Sequence, residues 1–204
     1  DTTHTGRASV PSGASTGAHE AVELRDGDLT HFSGKGVSKA IGYLLGELKS
    51  AIIDKEFTSQ EEFDALLCSL DGTKNKSRLG ANTILALSLA YGKAVSKSRD
   101  QEFFEYIRSE YTFTQPMSLP LPLVNVLNGG RHAKGSTDVQ EWMIVPVGAQ
   151  TFNDAIHMGT KVFYTLRTMM EARGASGVGD EGGFPLLHIS NNKEALMVLT
   201  DAVK

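Results

Sequence analysis

The sequence predicts a chain in two parts. A helix-rich α+β region comes first, followed by alternating β and α segments that read as the opening of a barrel or a wound sheet. Three observations carry this expectation. Apolar residues recur at helical spacing from about residue 37 to residue 109. Residues 112–122 then bring Pro116, Pro120 and Pro122 among polar neighbours, the texture of a boundary. Beyond it, two short β-compatible runs, residues 121–127 and 140–147, alternate with long helical patterns. The expected division is 1–113 and 114–204.

The elements follow in order. Asp1 to Arg7 lead into Ala8-Ser9-Val10 as an extended, strand-like start, so the first strands of the α+β region are expected to be only partly present. Residues 11–17, Pro-Ser-Gly-Ala-Ser-Thr-Gly, offer no apolar anchor and read as a mobile loop. Arg25-Asp-Gly-Asp28 is a turn. Val37, Ile41, Leu44, Leu45, Leu48 and Ile52 make one helical face over 37–54. Ser59 and Glu62 form a capping box for a helix carrying Phe63, Leu66, Leu67 and Leu70, which Asp71-Gly72 ends. Within it Cys68 reads as a buried small hydrophobe.

An Ala-rich helix follows over 80–96, with Ile84, Leu87, Tyr91 and Val95 inward and Ala81, Ala86, Ala90 and Ala94 permitting close approach. A shorter helix spans 101–109. After the two strands, Thr151 opens a long helix to about Arg173 that carries Phe152, Ile156, Val162, Phe163, Leu166 and Met170. Val178 to Glu181 ends a short strand or extended stretch. Asn192 is expected to cap the last helix, with Ala195, Leu196, Leu199 and Val203 on its inner face.

Composition narrows the function. The net charge of −4 argues against a nucleic-acid surface, which wants clustered Lys and Arg. It leaves room for an anionic substrate bridged by a divalent cation. With one cysteine in 204 residues, no internal disulfide framework exists, which fits a reducing compartment. No apolar run approaches a membrane span, and no signal peptide opens the chain.

Chemistry concentrates at a few positions. Glu181 lies in Val178-Gly-Asp-Glu-Gly-Gly183, where glycines let backbone and ligand approach. Glu141, in an apolar strand, must be paired, neutral or functional, because an isolated buried charge is expensive. A structural ion pair and a catalytic role both meet that requirement. His132 follows Gly129-Gly-Arg131 at a strand end, where a histidine is as a rule simply solvated. The remaining histidines, His4, His19, His31, His157 and His188, show no metal-ligand spacing. The run from Gly13 to Gly17 lacks the Gly-Lys-Ser/Thr ending of a phosphate-binding loop, and a hydroxyl-bearing lid is the better local reading.

Eight ordered motifs resemble enolase: Val10-Pro-Ser-Gly-Ala-Ser-Thr-Gly17, Glu23-Leu-Arg-Asp-Gly-Asp28, Gly34-Lys-Gly-Val37, Leu70-Asp-Gly-Thr73, Leu79-Gly-Ala-Asn82, Asn125-Val-Leu-Asn-Gly-Gly130 with His132-Ala133, Gln140-Glu-Trp-Met-Ile144 and Val178-Gly-Asp-Glu-Gly-Gly-Phe184. The resemblance runs over essentially the whole chain and implies roughly the N-terminal half of such an enzyme. That means an α+β capping domain and then the first ββαα portion of an enolase-type β/α barrel, incomplete. The family departs from this sequence after Phe184, where Pro185-Leu-Leu-His188 replaces the usual Ala-Pro-Asn, and at Trp142, usually Phe.

What the resemblance implies is magnesium-dependent, reversible dehydration of 2-phosphoglycerate to phosphoenolpyruvate, a step of glycolysis and gluconeogenesis. Glu181 would donate a proton to the leaving hydroxide with Glu141 beside it, since two close carboxylates cannot both ionise cheaply. Gln140, Glu141, Glu181 and His132 would touch substrate, His132 on the phosphate side. Ser15 would close with the lid onto the second of two magnesium ions, as hard oxygen ligands suit that cation. The first-magnesium carboxylates and the lysine base lie further along the family's barrel, so the chain alone is expected to be inactive. The resemblance also implies a cytoplasmic homodimer, with surface or secreted pools known in the family. A short non-catalytic enolase paralogue acting as a binding or scaffold protein is the alternative.

Overall fold

The computed structural model describes residues 3–13, 15–189 and 191–204. Asp1 and Thr2 of the expected extended start, and Ala14 of the lid loop, lie outside the described residues. The chain divides into two compact units, Asp1–Pro116 and Met117–Lys204. No helix among the described residues is long and apolar enough to cross a membrane.

The first unit is helical. Helices α1 (Ser38–Tyr43) and α2 (Lys49–Ile52) are joined without a break by a π turn, Leu44–Leu48. Then come α3 (Gln60–Asp71), α4 (Ala81–Ser98) and α5 (Phe103–Glu110). The expected single apolar stripe over 37–54 does not survive the π turn. Leu48 is fully buried, whereas Ile41 and Leu45 are exposed. A π turn carries more residues per turn than an α-helix, so side chains before and after it fall out of phase. Leu48 packs instead with Phe63, Leu67, Leu79 and Ile84 as the unit's core. Burying side chains of this size stabilises by roughly 1.5–3 kcal/mol each.

Ser59 caps α3, its hydroxyl accepting from the Glu62 amide at 3.1 Å. The Glu62 carboxylate reaches back one residue further than a capping box requires, accepting from Thr58 N–H at 2.8 Å. Cys68 is exposed, against expectation. It follows fully buried Leu67, and one step along a helix turns a side chain about 100° away from its neighbour.

The β part of the expected α+β region is absent among the described residues of this unit. The stretch from Thr3 to Val10 is extended but joins no ladder. It lies along α4 instead. A Cβ at Gly6 would overlap the Ala90 carbonyl and stand 2.7 Å from Ala94 N, so the small residues on both sides permit this approach. Lys97 Nζ donates to Thr5 O at 2.9 Å and fastens it.

The second unit is a three-stranded sheet with helices. Strand β1 (Val124–Asn128) pairs antiparallel with β2 (Glu141–Ile144) and parallel with β3 (Phe184–Pro185), giving the order β2-β1-β3. Helix α6 (Phe152–Glu171) connects β2 to β3, and α7 (Asn192–Val203) follows β3. The strand expected at Val178–Glu181 begins later. Those residues end in a turn, and the pairing starts at Phe184 against Leu127. The central strand puts Val126 and Leu127 into a core with Leu166 and Met170 of α6, Phe184, Leu186, Ile189 and the inner face of α7.

That inner face is Ala195, Val198, Leu199 and Ala202, while the expected Leu196 and Val203 are exposed. Two candidate stripes run along α7, and the smaller residues of one let it lie close to α6. The N-cap is Asn191 rather than Asn192, its side chain accepting from Glu194 N at 2.9 Å. On α6, Thr151 caps as expected, but Phe152 and Ile156 at its first turns are exposed.

Candidate functional site

The β1–β2 connection builds the site. β1 ends at Asn128, and a 3₁₀ turn, Gly130–His132, follows. The neck of the connection is closed by Gly129 N–H donating to Gln140 O at 2.9 Å and Gly130 N–H to Thr137 O at 2.7 Å. These bonds fold His132 back over the start of β2. Its Nε2 meets Gln140 Nε2 at 3.2 Å. If the Gln140 amide donates there, the ring proton sits on Nδ1, on the side of Glu181.

Glu141 opens β2 opposite Asn128. Along the strand its side chain shares a face with Met143, while Trp142 and Ile144 turn to the apolar core. The third group arrives from the turn before β3. There Gly179 N–H donates to Gly183 O and Gly182 N–H to Gly179 O, each at 2.9 Å, with Gly182 at φ +82°. This tight turn presents Glu181 at its apex.

Three sequence-selected side chains therefore converge. One ligand atom from each of His132, Glu141 and Glu181 lies within 4.8 Å of the others. His132 Nδ1 stands 3.2 Å from Glu181 Oε2, inside ion-pair reach yet off the line of a hydrogen bond, so Nδ1 has no hydrogen-bond partner. The imidazole is 9% exposed and the Glu181 side chain 31%, so the carboxylate stands at the mouth and the ring behind it. Gln140, the fourth sequence-selected residue, holds the far side of the ring.

Such a group can hold and pass a proton between an imidazole and two carboxylates, and it can grip an electropositive centre. It is not by itself a magnesium cage. That ion wants near-octahedral oxygen, and the cluster offers two carboxylates and a nitrogen. Ser15, the expected magnesium ligand, belongs to the first unit. With Gly13, Thr16, Glu20, Glu23 and Asn82 it lines a groove of about 450 Å³ there. His4, His19, His31, His157 and His188 are all exposed.

Two residues escaped the sequence reading. Asn125 and Asn128 sit in β1; among the described residues neither amide atom of buried Asn128 has a hydrogen-bond partner, and Asn125 Oδ1 is likewise unpartnered. Asn125 Nδ2 donates to the Glu181 carbonyl at 3.5 Å. The signal available was two asparagines three apart in an otherwise apolar β run, where a buried amide needs a reason.

Two family models match the chain: the enolase N-terminal domain over residues 1–107, and the enolase C-terminal TIM barrel domain over residues 116–204.

Proposed function

Starting from the fact that the chain belongs to the enolase family, we propose that its site serves the reversible dehydration of 2-phosphoglycerate to phosphoenolpyruvate. The single observation that carries this reading is the convergence of His132, Glu141 and Glu181 within 4.8 Å of one another at the end of β1 and the start of β2. A lyase of this kind must protonate a departing hydroxide, and a carboxyl group beside another carboxylate suits that task.

In this reading Glu181, the more accessible acid, gives a proton from its carboxyl to the leaving oxygen. Glu141 shares the negative charge of the pair. His132, held by Gln140, is assigned to the phosphate side of the substrate. Substrate binding by Gln140, Glu141, Glu181 and His132 excludes water from the group. Enolase-superfamily sites are an established example of magnesium-stabilised ene-diolate chemistry with a Lys or His base. Two magnesium ions belong to this proposal, with Ser15 contributing oxygen to one; the His132–Glu141–Glu181 cluster is assigned to neither. The 204 residues by themselves are proposed to be inactive. A cytoplasmic homodimer completes the proposal.

The experiment is direct. The intact protein containing this chain is given magnesium and 2-phosphoglycerate, and the absorbance of the enol product is followed; the isolated 204 residues are run beside it. Turnover by the first and none by the second is expected. No turnover by the intact protein would leave a binding role as the better account, and sedimentation of the same sample tests the dimer.

A further inference from the structure

Asn128 is buried, at 1% exposed, and among the described residues neither its oxygen nor its nitrogen has a hydrogen-bond partner. An unpartnered buried amide costs stability, so its presence calls for a reason. The reason lies directly above it. A Cβ at Gly183 would overlap Asn128 Oδ1 and stand 3.0 Å from Asn125 Oδ1. One at Gly179 would stand 3.3 Å from Asn128 Nδ2. The amide thus lies against both ends of the turn whose apex is Glu181, and the turn's own closing bond joins those same two glycines.

We infer that Asn128 is a positioning residue: its amide, seated against Gly179 and Gly183, sets the height of the Glu181 carboxylate over His132 and Glu141. An amide oxygen or NH₂ tolerates a closer backbone than a methyl group, which needs roughly 3.5–4.0 Å to its carbon neighbours. A hydrocarbon of the same shape would lift the turn by several tenths of an ångström. Asn125, donating to the Glu181 carbonyl, steadies the turn from one side. The inference rests on the reading of Glu181 as proton donor, because only then does its height matter to the reaction.

Three variants of the intact protein test it: Asn128→Leu, Gly183→Ala, and Gly183→Ala combined with Asn128→Ala. For Asn128→Leu the expected result is a Tm equal to or above that of the parent, kcat lowered at least tenfold and KM within about threefold. Its crystal structure should show the 3.2 Å separation of His132 Nδ1 and Glu181 Oε2 lengthened. Gly183→Ala should lose kcat similarly, and Asn128→Ala added to it should restore part of the loss by vacating the overlap. A purely structural Asn128 gives the opposite pattern, with Tm and kcat falling together, the separation unchanged and the two substitutions additive; any of these overturns the inference. If the parent protein fails to turn over 2-phosphoglycerate, the dehydration reading falls. The separation in the two single variants then decides the positioning claim alone.

Discussion

The two units treat buried polarity in opposite ways. In the first, buried polar side chains are mostly latched to backbone. Asp71, 2% exposed at the end of α3, accepts from Leu79 N–H at 2.7 Å, from Thr73 N–H at 2.9 Å and from the Thr73 hydroxyl. Gln60 donates to Asp64 and to Ser88 and accepts from the Tyr106 hydroxyl at 3.1 Å, and burial pushes that phenol up to about 12. Among the described residues there, only Thr83 Oγ1 on α4 and Gln101 Oε1 in the loop before α5 are left over. In the second unit the unpartnered atoms gather on β1, β2 and the turn between them: Asn125 Oδ1, both amide atoms of Asn128, His132 Nδ1 and Trp142 Nε1. Satisfied polar groups fasten a fold. Unsatisfied ones cost stability and collect where a structure serves a different purpose.

The sharpest way to break this contrast is Glu181→Gln in the intact protein. Kinetics should show a loss of about 10²–10⁴-fold in kcat, the range for a general acid, with the urea midpoint unmoved. A midpoint falling with kcat would place Glu181 among the fastening groups instead. Next come the cores. Leu67→Ala and Leu166→Ala, both at fully buried positions, should each cost about 2–5 kcal/mol. Hydrogen exchange should report the first chiefly in α3 and α4 and the second chiefly in α6 and α7; equal loss everywhere would mean one cooperative body.

Asp71→Asn probes the fastening side, with an expected cost of about 1–3 kcal/mol at neutral pH and no change in KM. Burial works to raise the Asp71 carboxyl, but the Leu79 and Thr73 hydrogen bonds outweigh it and hold it below its ordinary 3.8. Its contribution is therefore complete above that value and fades as pH falls through the lowered folded one. Urea titrations should show parent and variant converging in acid. The smallest effect belongs to the caps. Thr151→Ala and Asn191→Ala should each cost about 1 kcal/mol by thermal unfolding, since each removes a bond to the third residue of its helix.

Much of the architecture was legible because it depends on local chemistry. The Ser59 and Thr151 caps, the Gly72 stop of α3 and the two β runs all announce themselves in a few residues. The meeting of Glu141, Glu181 and His132 was also legible, through motif order and the logic of acids framed by glycine. What stayed hidden depends on neighbours. Periodicity offers α7 two adjoining stripes, and only α6 decides that Val198 and Ala202, not Leu196 and Val203, go inside. A two-residue β3 is too short for any pattern, so pairing placed it at Phe184 instead of Val178. Asn128 looked like one more letter of a strand because the turn that sits on it lies more than fifty residues away.

The π turn at Leu44–Leu48 concentrates a change of helical phase in one place. A helix that gains one residue can re-register everything downstream or confine the surplus to a single wide turn. Here Leu48 and Ile52 point one way and Ile41 and Leu45 another, as two halves of different phase would. Removing a single residue from the wide turn should restore one continuous α-helix and carry Ile41 and Leu45 round toward Phe63, so that a shorter chain would be the better-packed one.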